Sequence, residues 1–180
     1  LALTNDELAA LPGFSRDMEK TRAEARKLLA DAGVSGLKVR LVNRNVNHPF
    51  TPTGVFVIDQ WRRIGVVAEH QQLDVSQQKS TLAAGEYQVG LDAFCADSDD
   101  PKPLFLQYLS KERSPRNMTR NPHPEFDALY DRFAATTSES ERKDLAAQMQ
   151  RLAITAAYST PVLWYSRLVA HVPAMKGWKI

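Results

Sequence analysis

One stretch in the first half of the chain limits the folds open to it: a strand, a helix and a second strand follow one another in order. Residues 37–42 alternate between apolar and charged side chains, include β-branched residues and predict a strand. Residues 53–64 carry apolar side chains at helical spacing, and residues 66–73 again predict a strand. A helix between two strands is typical of a parallel pair with a right-handed crossover. The predicted fold class is α/β, a mixed sheet with βαβ units and helices packed on it.

The rest of the chain adds another strand and several helices to this unit. The helix over residues 53–64 is expected to bury Val55, Ile58, Trp61 and Ile64, and Ser138 with Glu141 fits a capping box. Because no repeat or linker interrupts the pattern, we predict a single domain over residues 1–180. The further predicted elements are helices over residues 4–11, 17–32, 76–84, 103–109, 124–135 and 138–157, a strand over residues 87–94 and an extended segment over residues 160–172.

Composition and charge exclude several classes of function. The 180 residues carry 23 Lys and Arg against 21 Asp and Glu, and this near balance gives no reason to expect a nucleic acid partner. The longest apolar runs are too short to cross a bilayer. A basic segment from Lys111 to Arg120 has no aromatic residues for stacking on bases, so a solvated loop is favoured over a nucleic-acid face. A protein-interaction surface on this loop stays open as a further reading.

The sequence contains none of the common catalytic motifs. Glycines never fall at phosphate-loop or dinucleotide spacing, and the four histidines are scattered, so we expect no cofactor and no metal site. The acidic run from Asp97 to Asp100 fails as a calcium loop, because Lys102 and Tyr108 stand where an EF-hand needs Gly and Glu. An alternative function that this run leaves open is metal-dependent hydrolysis.

Charged residues follow two of the predicted strands, where open α/β sheets usually bind their ligands. Arg44 comes just after the first strand and would suit a carboxylate, whereas Asp97 follows the strand over residues 87–94 and would suit an amine. Cys95 is the single cysteine of the chain. It is expected to be either a small buried thiol or half of a disulfide whose partner lies outside these residues.

Several strings, in this order, resemble the C-terminal lobe of the family 5 extracellular solute-binding proteins, the peptide- and nickel-binding group of periplasmic receptors. Each string is short, but together they cover nearly the whole chain. The matching strings are ARKLLADAG at residues 25–33, DQWRRIGV at 59–66, FCADSDDP at 94–101, PEFDAL at 124–129, PVLW at 161–164, and VP with GW at 172–178.

This resemblance implies one lobe of a two-lobe receptor that closes on its ligand, with the N-terminal lobe absent from the chain. The receptor would be the substrate-binding component of an ABC importer rather than an enzyme, and permease subunits would be its protein partners. It would lie in the periplasm or outside the cell, either lipid-anchored or free. An oligopeptide or dipeptide is the first expectation for the ligand, with opines, sugars and nickel chelates as the other solutes of the family.

The resemblance also implies roles for individual residues. Asp97 matches the aspartate that pairs with the ligand's α-amino group in oligopeptide-binding members. Phe94 stands where those members have Trp, which keeps an aromatic wall but loses the indole donor. Cys95 matches a cysteine that is disulfide-bonded in some members. Arg44 occupies a place similar to that of an arginine that pairs with the ligand carboxylate in dipeptide-binding members.

Overall fold

The computed structural model describes residues 3–95 and 100–163, together with residues 172, 174 and 177. Within them, a three-stranded sheet lies in the first half of the chain and the second half is helical. The strands are β1 (Lys38–Arg44), β2 (Val67–Leu73) and β3 (Val89–Gly90). The helices are α1 (Asn5–Ala9), α2 (Met18–Asp31), α3 (Phe50–Arg62), α4 (Val75–Ala84), α5 (Lys102–Phe105), α6 (Pro124–Ala135) and α7 (Glu139–Ala156).

β1 is the central strand of the sheet, whose order is β2–β1–β3. It pairs in parallel with β2 along its whole length, and with β3 where Leu41 lies opposite Val89 and Val42 opposite Gly90. The unit formed by β1, α3 and β2 is the predicted βαβ unit, so the α/β class is confirmed. All pairings among the described strands are parallel, and the antiparallel strand that a mixed sheet would add is not among them.

Helices cover both faces of β1. Successive side chains of a strand point to opposite faces, so the last two residues of β1 show which helix lies on each side. Asn43 donates from Nδ2 to the carbonyl oxygen of Phe50 in α3 at 2.7 Å. Arg44 donates from Nε to Oε1 of Gln78 in α4 at 3.2 Å. The two helices therefore pack on opposite faces, as right-handed crossovers that run in opposite directions across a sheet require.

A buried amide links β1 to β2 through a histidine. Asn43 is fully buried, and its Oδ1 accepts the backbone N–H of Arg44 at 2.8 Å, which leaves Nδ2 facing Nε2 of His70 at 3.0 Å. Nε2 must then be the acceptor, so the contact fits the neutral imidazole with its proton on Nδ1. Burial lowers the pKa of His70. Gly54 permits this approach, because a Cβ there would lie 2.7 Å from Nδ2 of Asn43.

The second half of the chain packs around a core of its own. Phe126 and Phe133 lie on one face of α6, two helical turns apart, and both are fully buried. Phe105 of α5 meets both rings edge to face, with centroids 6.0 and 5.4 Å away. The remaining buried members of the cluster are Leu109, Leu145, Ala146, Met149 and Ala153.

A polar loop over residues 110–122 connects α5 to α6 and contacts α4 and the segment before β3. Its shape is held by the buried Asn117, whose side chain bonds to backbone groups within and beside the loop. From the loop, Arg120 donates to the carbonyl oxygen of Ala83 in α4 at 2.7 Å. The carbonyl oxygen of Met118 accepts the hydroxyl of Tyr87 at 2.5 Å. The basic side chain of Arg120 thus serves to dock the loop on α4.

The predicted helices are confirmed, with ends shifted by a few residues. α6 has the predicted bounds, and Ser138 caps α7 by accepting the N–H of Glu141 at 3.4 Å. Glu141 instead accepts the Thr136 hydroxyl at 2.6 Å, so its carboxylate completes no reciprocal capping box. None of the helices in the described part of the chain is long and apolar enough to cross a membrane. Most of the predicted extended segment over residues 160–172 lies outside the described residues.

The predicted buried face of α3 is wrong at Val55, which is 56% exposed. The buried residues of the helix are Thr53, Gly54 and Val57, whereas Ile58 and Trp61 are partly buried. The glycine explains the rotation, because its lack of a side chain lets the helix backbone come close to Asn43 of β1.

β3 is shorter than the strand predicted over residues 87–94. Its pairing with β1 ends after the N–H of Leu91 donates to the carbonyl oxygen of Val42 at 2.9 Å. Beyond that point the carboxylate of Asp92 accepts the N–H of Ala93 at 2.9 Å. Side-chain contacts therefore replace the backbone ladder where the strand was expected to continue.

Replacing Phe133 with alanine is expected to lower the free energy of unfolding by about 3–5 kcal/mol, because it empties a fully buried aromatic site. Phe56→Ala is the matched control, since Phe56 is 54% exposed, and it should change the free energy of unfolding by about 0.5 kcal/mol or less. Urea unfolding followed by circular dichroism measures both. Similar losses in the two variants would contradict the assigned core.

Acid is expected to weaken the fold through His70. Its folded pKa lies below the unfolded value of about 6.5, so the unfolded state takes up the proton first. The stabilisation is complete above about pH 6.5 and is lost as pH falls from there towards the folded pKa. Urea unfolding across this range should show a smaller decline for His70→Gln, whose side chain offers an acceptor that does not titrate. Equal declines in both proteins would rule out this role.

Candidate functional site

The strands are parallel, so their carboxyl ends meet at one edge of the sheet. β1 ends there at Arg44, and the segment after β3 leaves the same edge. We use the name carboxyl edge for Arg44, Phe50, Gln78, Asp92 and Phe94, which come from the end of β1, the starts or first turns of α3 and α4, and the segment after β3.

Arg44 is held by three groups at this edge. Its guanidinium forms an ion pair with the carboxylate of Asp92, and its Nε donates to Oε1 of Gln78 at 3.2 Å. The guanidinium carbon lies 4.4 Å from the centre of the Phe50 ring, a cation–π distance. The side chains of Arg44 and Asp92 are 16% and 20% exposed, so the pair is largely buried but open to solvent on one side.

The register of the sheet explains why Arg44 and Asp92 meet. Leu41 lies opposite Val89 and Val42 opposite Gly90, an offset of 48 positions. Arg44 and Asp92 keep the same offset of 48, two residues past the last backbone pairing of β3 at Gly90, and their side chains are in contact. Parallel partners at the same level point to the same face of a sheet, so the two side chains meet directly.

Gln78 is the support on which this arrangement rests. It is fully buried in α4, and it uses both ends of its amide. Oε1 accepts from Arg44, and Nε2 donates to the carbonyl oxygen of Leu91 at 3.0 Å. One side chain therefore connects α4, the end of β1 and the segment that follows β3. Loss of this amide would leave buried polar groups without partners.

The predicted site residues are distributed as follows. Arg44 lies at the carboxyl edge, and Phe94 follows two residues after Asp92 with 44% of its surface exposed. Cys95 is an exposed free cysteine, so the expectation of a buried thiol is wrong. Its exposure follows from the early end of β3, which leaves residues 94 and 95 without strand neighbours. Asp97 lies outside the described residues.

Sequence reasoning missed Asp92, Gln78 and Phe50. Asp92 lies inside a predicted strand, so the sequence pattern assigned it no separate role. The parallel register identifies it as a neighbour of Arg44 only when the pairing of Leu41 with Val89 is known. Gln78 carries a weaker signal, a polar residue at a position of α4 that faces the sheet. Phe50 precedes the predicted start of its helix. The helical periodicity therefore did not predict that its ring packs on the guanidinium of Arg44.

The structure gives the neighbouring acidic and basic segments local roles. Asp100 accepts the N–H of Lys102 at 2.9 Å and contacts Arg142 of α7 at 3.3 Å. Arg113 pairs with Asp131 at 2.6 Å. Within the described residues, no group of three or more His, Cys, Asp or Glu side chains could hold a metal ion.

The opposite edge of the sheet carries a different kind of surface. A groove of about 470 Å³ lies there, lined mainly by apolar and small residues that include Leu29, Val34, Leu37 and Ile64. Its charged member, Arg26, donates to the carbonyl oxygen of Arg63 at 3.1 Å. The carboxyl edge differs from this groove because it combines an ion pair with an exposed aromatic ring.

Two curated proteins show sequence similarity over most of this chain. Heme-binding protein A of Haemophilus influenzae is 27% identical over 180 residues, which cover 97% of this chain and 32% of that protein. Periplasmic oligopeptide-binding protein OppA of Escherichia coli is 26% identical over 161 residues, which cover 87% of this chain and 29% of that protein. The chain thus spans about a third of the length of these relatives.

Solved structures show the same fold. OppA of Burkholderia pseudomallei matches with a TM-score of 0.75 and 22% identity, over 84% of this chain and 30% of that one. The murein tripeptide binding protein MppA of Escherichia coli matches with a TM-score of 0.73 and 20% identity, over 81% of this chain and 29% of that one.

The family described as "Bacterial extracellular solute-binding proteins, family 5 Middle" matches residues 6–116, which is more than half of the chain and includes the whole sheet and the carboxyl edge. The chain belongs to family 5 of the bacterial extracellular solute-binding proteins.

Proposed function

We propose that this chain is the C-terminal, ligand-gripping lobe of the substrate-binding component of an ABC importer. The receptor binds a peptide or a similar small solute between two lobes and delivers it to the permease subunits in the membrane. The observation that carries the proposal is the match to family 5 over residues 6–116, a range that contains the carboxyl edge of the sheet. Its place of action is the periplasm or the cell exterior.

The chemistry of the carboxyl edge supports a small solute that carries an amino group. The edge carries an exposed aromatic ring at Phe94 and the ion pair of Arg44 with Asp92, and the acidic run that contains Asp97 follows directly in the sequence. An aspartate in that loop would pair with an α-amino group, and the ring would pack against the backbone or a side chain of the ligand. Recognition of the amino end of a peptide in this way tolerates variation in its side chains.

The names of the relatives suggest two ligand classes, an oligopeptide and haem. The edge favours the peptide, because its described groups are an ion pair, an amide and two aromatic rings rather than a broad apolar surface suited to a macrocycle. His70 lies on the neighbouring strand, but its Nε2 is already occupied by Asn43. Haem is accordingly the comparison ligand, together with opines, sugars and nickel chelates.

Binding without turnover is the activity proposed. The relatives are named as binding proteins, and the alternative of a metal-dependent hydrolase at Asp97 to Asp100 gains no support from them. Asp100, the described member of that run, takes part in a helix-start contact and a contact with Arg142.

A thermal-shift screen of the full-length receptor tests the proposal. Di- to pentapeptides, haem, opines, sugars and nickel chelates are added in turn. A ligand at about 100 times its dissociation constant should add roughly 2.7 kcal/mol to the free energy of unfolding. Peptides are expected to give the largest shift. A shift with none of these solutes would contradict the receptor function, and a shift with haem alone would replace the peptide by haem.

The role of Asp97 is tested on the best peptide. Asp97→Ala should abolish most of the shift, because the ligand's ammonium group loses its charged partner. Asp31→Ala is the control, since Asp31 forms an exposed pair with Lys27 on α2, away from the carboxyl edge. An unchanged shift in Asp97→Ala would reduce that aspartate to a loop residue while leaving the receptor function intact.

The 180-residue chain alone is expected to bind the same peptide weakly or undetectably, because one lobe supplies half of the contacts of a closed cleft. Isothermal calorimetry of the chain and of the full-length receptor, side by side, measures the difference. Low-micromolar binding by the chain alone would contradict the two-lobe account.

A further inference from the structure

We infer that Asp92 is a built-in competitor for a carboxylate site at Arg44, and that it sets the selectivity of this edge against ligands that present a free carboxylate there. The inference rests on the proposed function for its consequence in ligand choice. The competition itself is a property of two side chains whose contacts are described above.

The guanidinium of Arg44 is prepared for a carboxylate. Its Nε donates to Gln78, one of its Nη groups donates to the carboxylate of Asp92, and the Phe50 ring lies against its face. A planar guanidinium fixed on two sides presents its remaining N–H groups in one direction, which is how arginine selects carboxylates. The position is therefore a formed anion site whose occupant belongs to the protein.

Asp92 is itself held in place. Its Oδ1 accepts the backbone N–H of Ala93 at 2.9 Å in addition to its contact with Arg44. The parallel register between β1 and β3 brings the two residues to the same level of the sheet, so the pair needs no rearrangement to form. The carboxylate of the protein thus meets the guanidinium without the loss of translational freedom that a ligand carboxylate would suffer.

A ligand carboxylate at this position meets two penalties. Displacing Asp92 would leave a largely buried carboxylate, 20% exposed, without its charged partner. If Asp92 stayed, the two carboxylates would repel each other at short distance. The wild-type edge is therefore neutral where it holds Arg44, and it accepts an uncharged part of a ligand more readily than a carboxylate. Selectivity arises here from a repulsive group as well as from attractive contacts.

The partial solvent exposure of Arg44 and Asp92 allows a carboxylate from solution to reach the guanidinium. Arg44 and Asp92 keep 16% and 20% of their side-chain surface, on a sheet edge that also carries the exposed Phe94. Exchange of one carboxylate for another at Arg44 therefore requires no opening of the core. Removing the Asp92 carboxylate should leave a site that a small external carboxylate can enter.

Chemical rescue tests the competition without any peptide. The full-length protein is prepared as wild type, Asp92→Ala, and Asp92→Ala combined with Arg44→Gln, and melting temperatures are measured in sodium acetate and in sodium chloride of equal ionic strength. Acetate should raise the melting temperature of Asp92→Ala relative to chloride, and should have no specific effect on the other two proteins. Asp31→Ala, which removes one partner of an exposed ion pair with Lys27, is the control, and acetate should not raise its melting temperature relative to chloride. An absence of acetate rescue in Asp92→Ala would overturn the inference.

A second measurement tests selectivity with the shape of the side chain preserved. Tripeptides with a free C-terminal carboxylate and the same tripeptides with a C-terminal amide are compared for wild type and Asp92→Asn. Wild type should bind the amide at least as tightly as the free acid, whereas Asp92→Asn should favour the free acid by about tenfold, the effect of one charge-assisted contact. Peptide binding with the same acid-to-amide ratio in both proteins would overturn the inference and leave the proposed function standing. Acetate rescue without binding of any peptide would support the competition at Arg44 and contradict the proposed peptide-binding function.

Discussion

The parallel pairing of β1 with both neighbouring strands is the constraint on which the rest of the structure depends. It buries Leu41 and Val42 at the centre of the sheet, places α3 and α4 on opposite faces and brings the carboxyl ends of all three strands to one edge. The ion pair between Arg44 and Asp92 follows from that register. A shift of one residue between β1 and β3 would turn Asp92 to the other face and leave Arg44 without this partner.

The molecule combines this sheet with a separate helical core, and polar side chains connect the two. Phe126 and Phe133 stabilise the helical half, while Arg120 and Tyr87 bind backbone carbonyls across the junction. These directional hydrogen bonds fix the orientation at the junction. Within each half, apolar packing supplies most of the stability. A rigid orientation of this kind would allow a lobe to move as one body when a receptor closes.

The regular periodicity of the sequence predicted the α/β class, the βαβ unit and α6 with its bounds, because local patterns determine them. Non-local contacts determine the details that the sequence did not predict. Gly54 rotates α3 so that Val55 is exposed, and side-chain contacts of Asp92 replace the backbone ladder of β3 after Gly90. At the site, Arg44 was identified from its position after a strand. Its partner Asp92 was not, since the offset of 48 positions is a property of the folded sheet.

The central claim is that ligand binding takes place at the carboxyl edge of this sheet. Hydrogen–deuterium exchange of the full-length receptor, with and without the peptide that stabilises it most, tests this most directly. The account predicts slower exchange on binding at residues 44–50 and 91–95, with no change in the apolar groove at the opposite edge around residues 29–37. Protection confined to that groove or to the helices of the second half, or no protection anywhere in this chain, would contradict it.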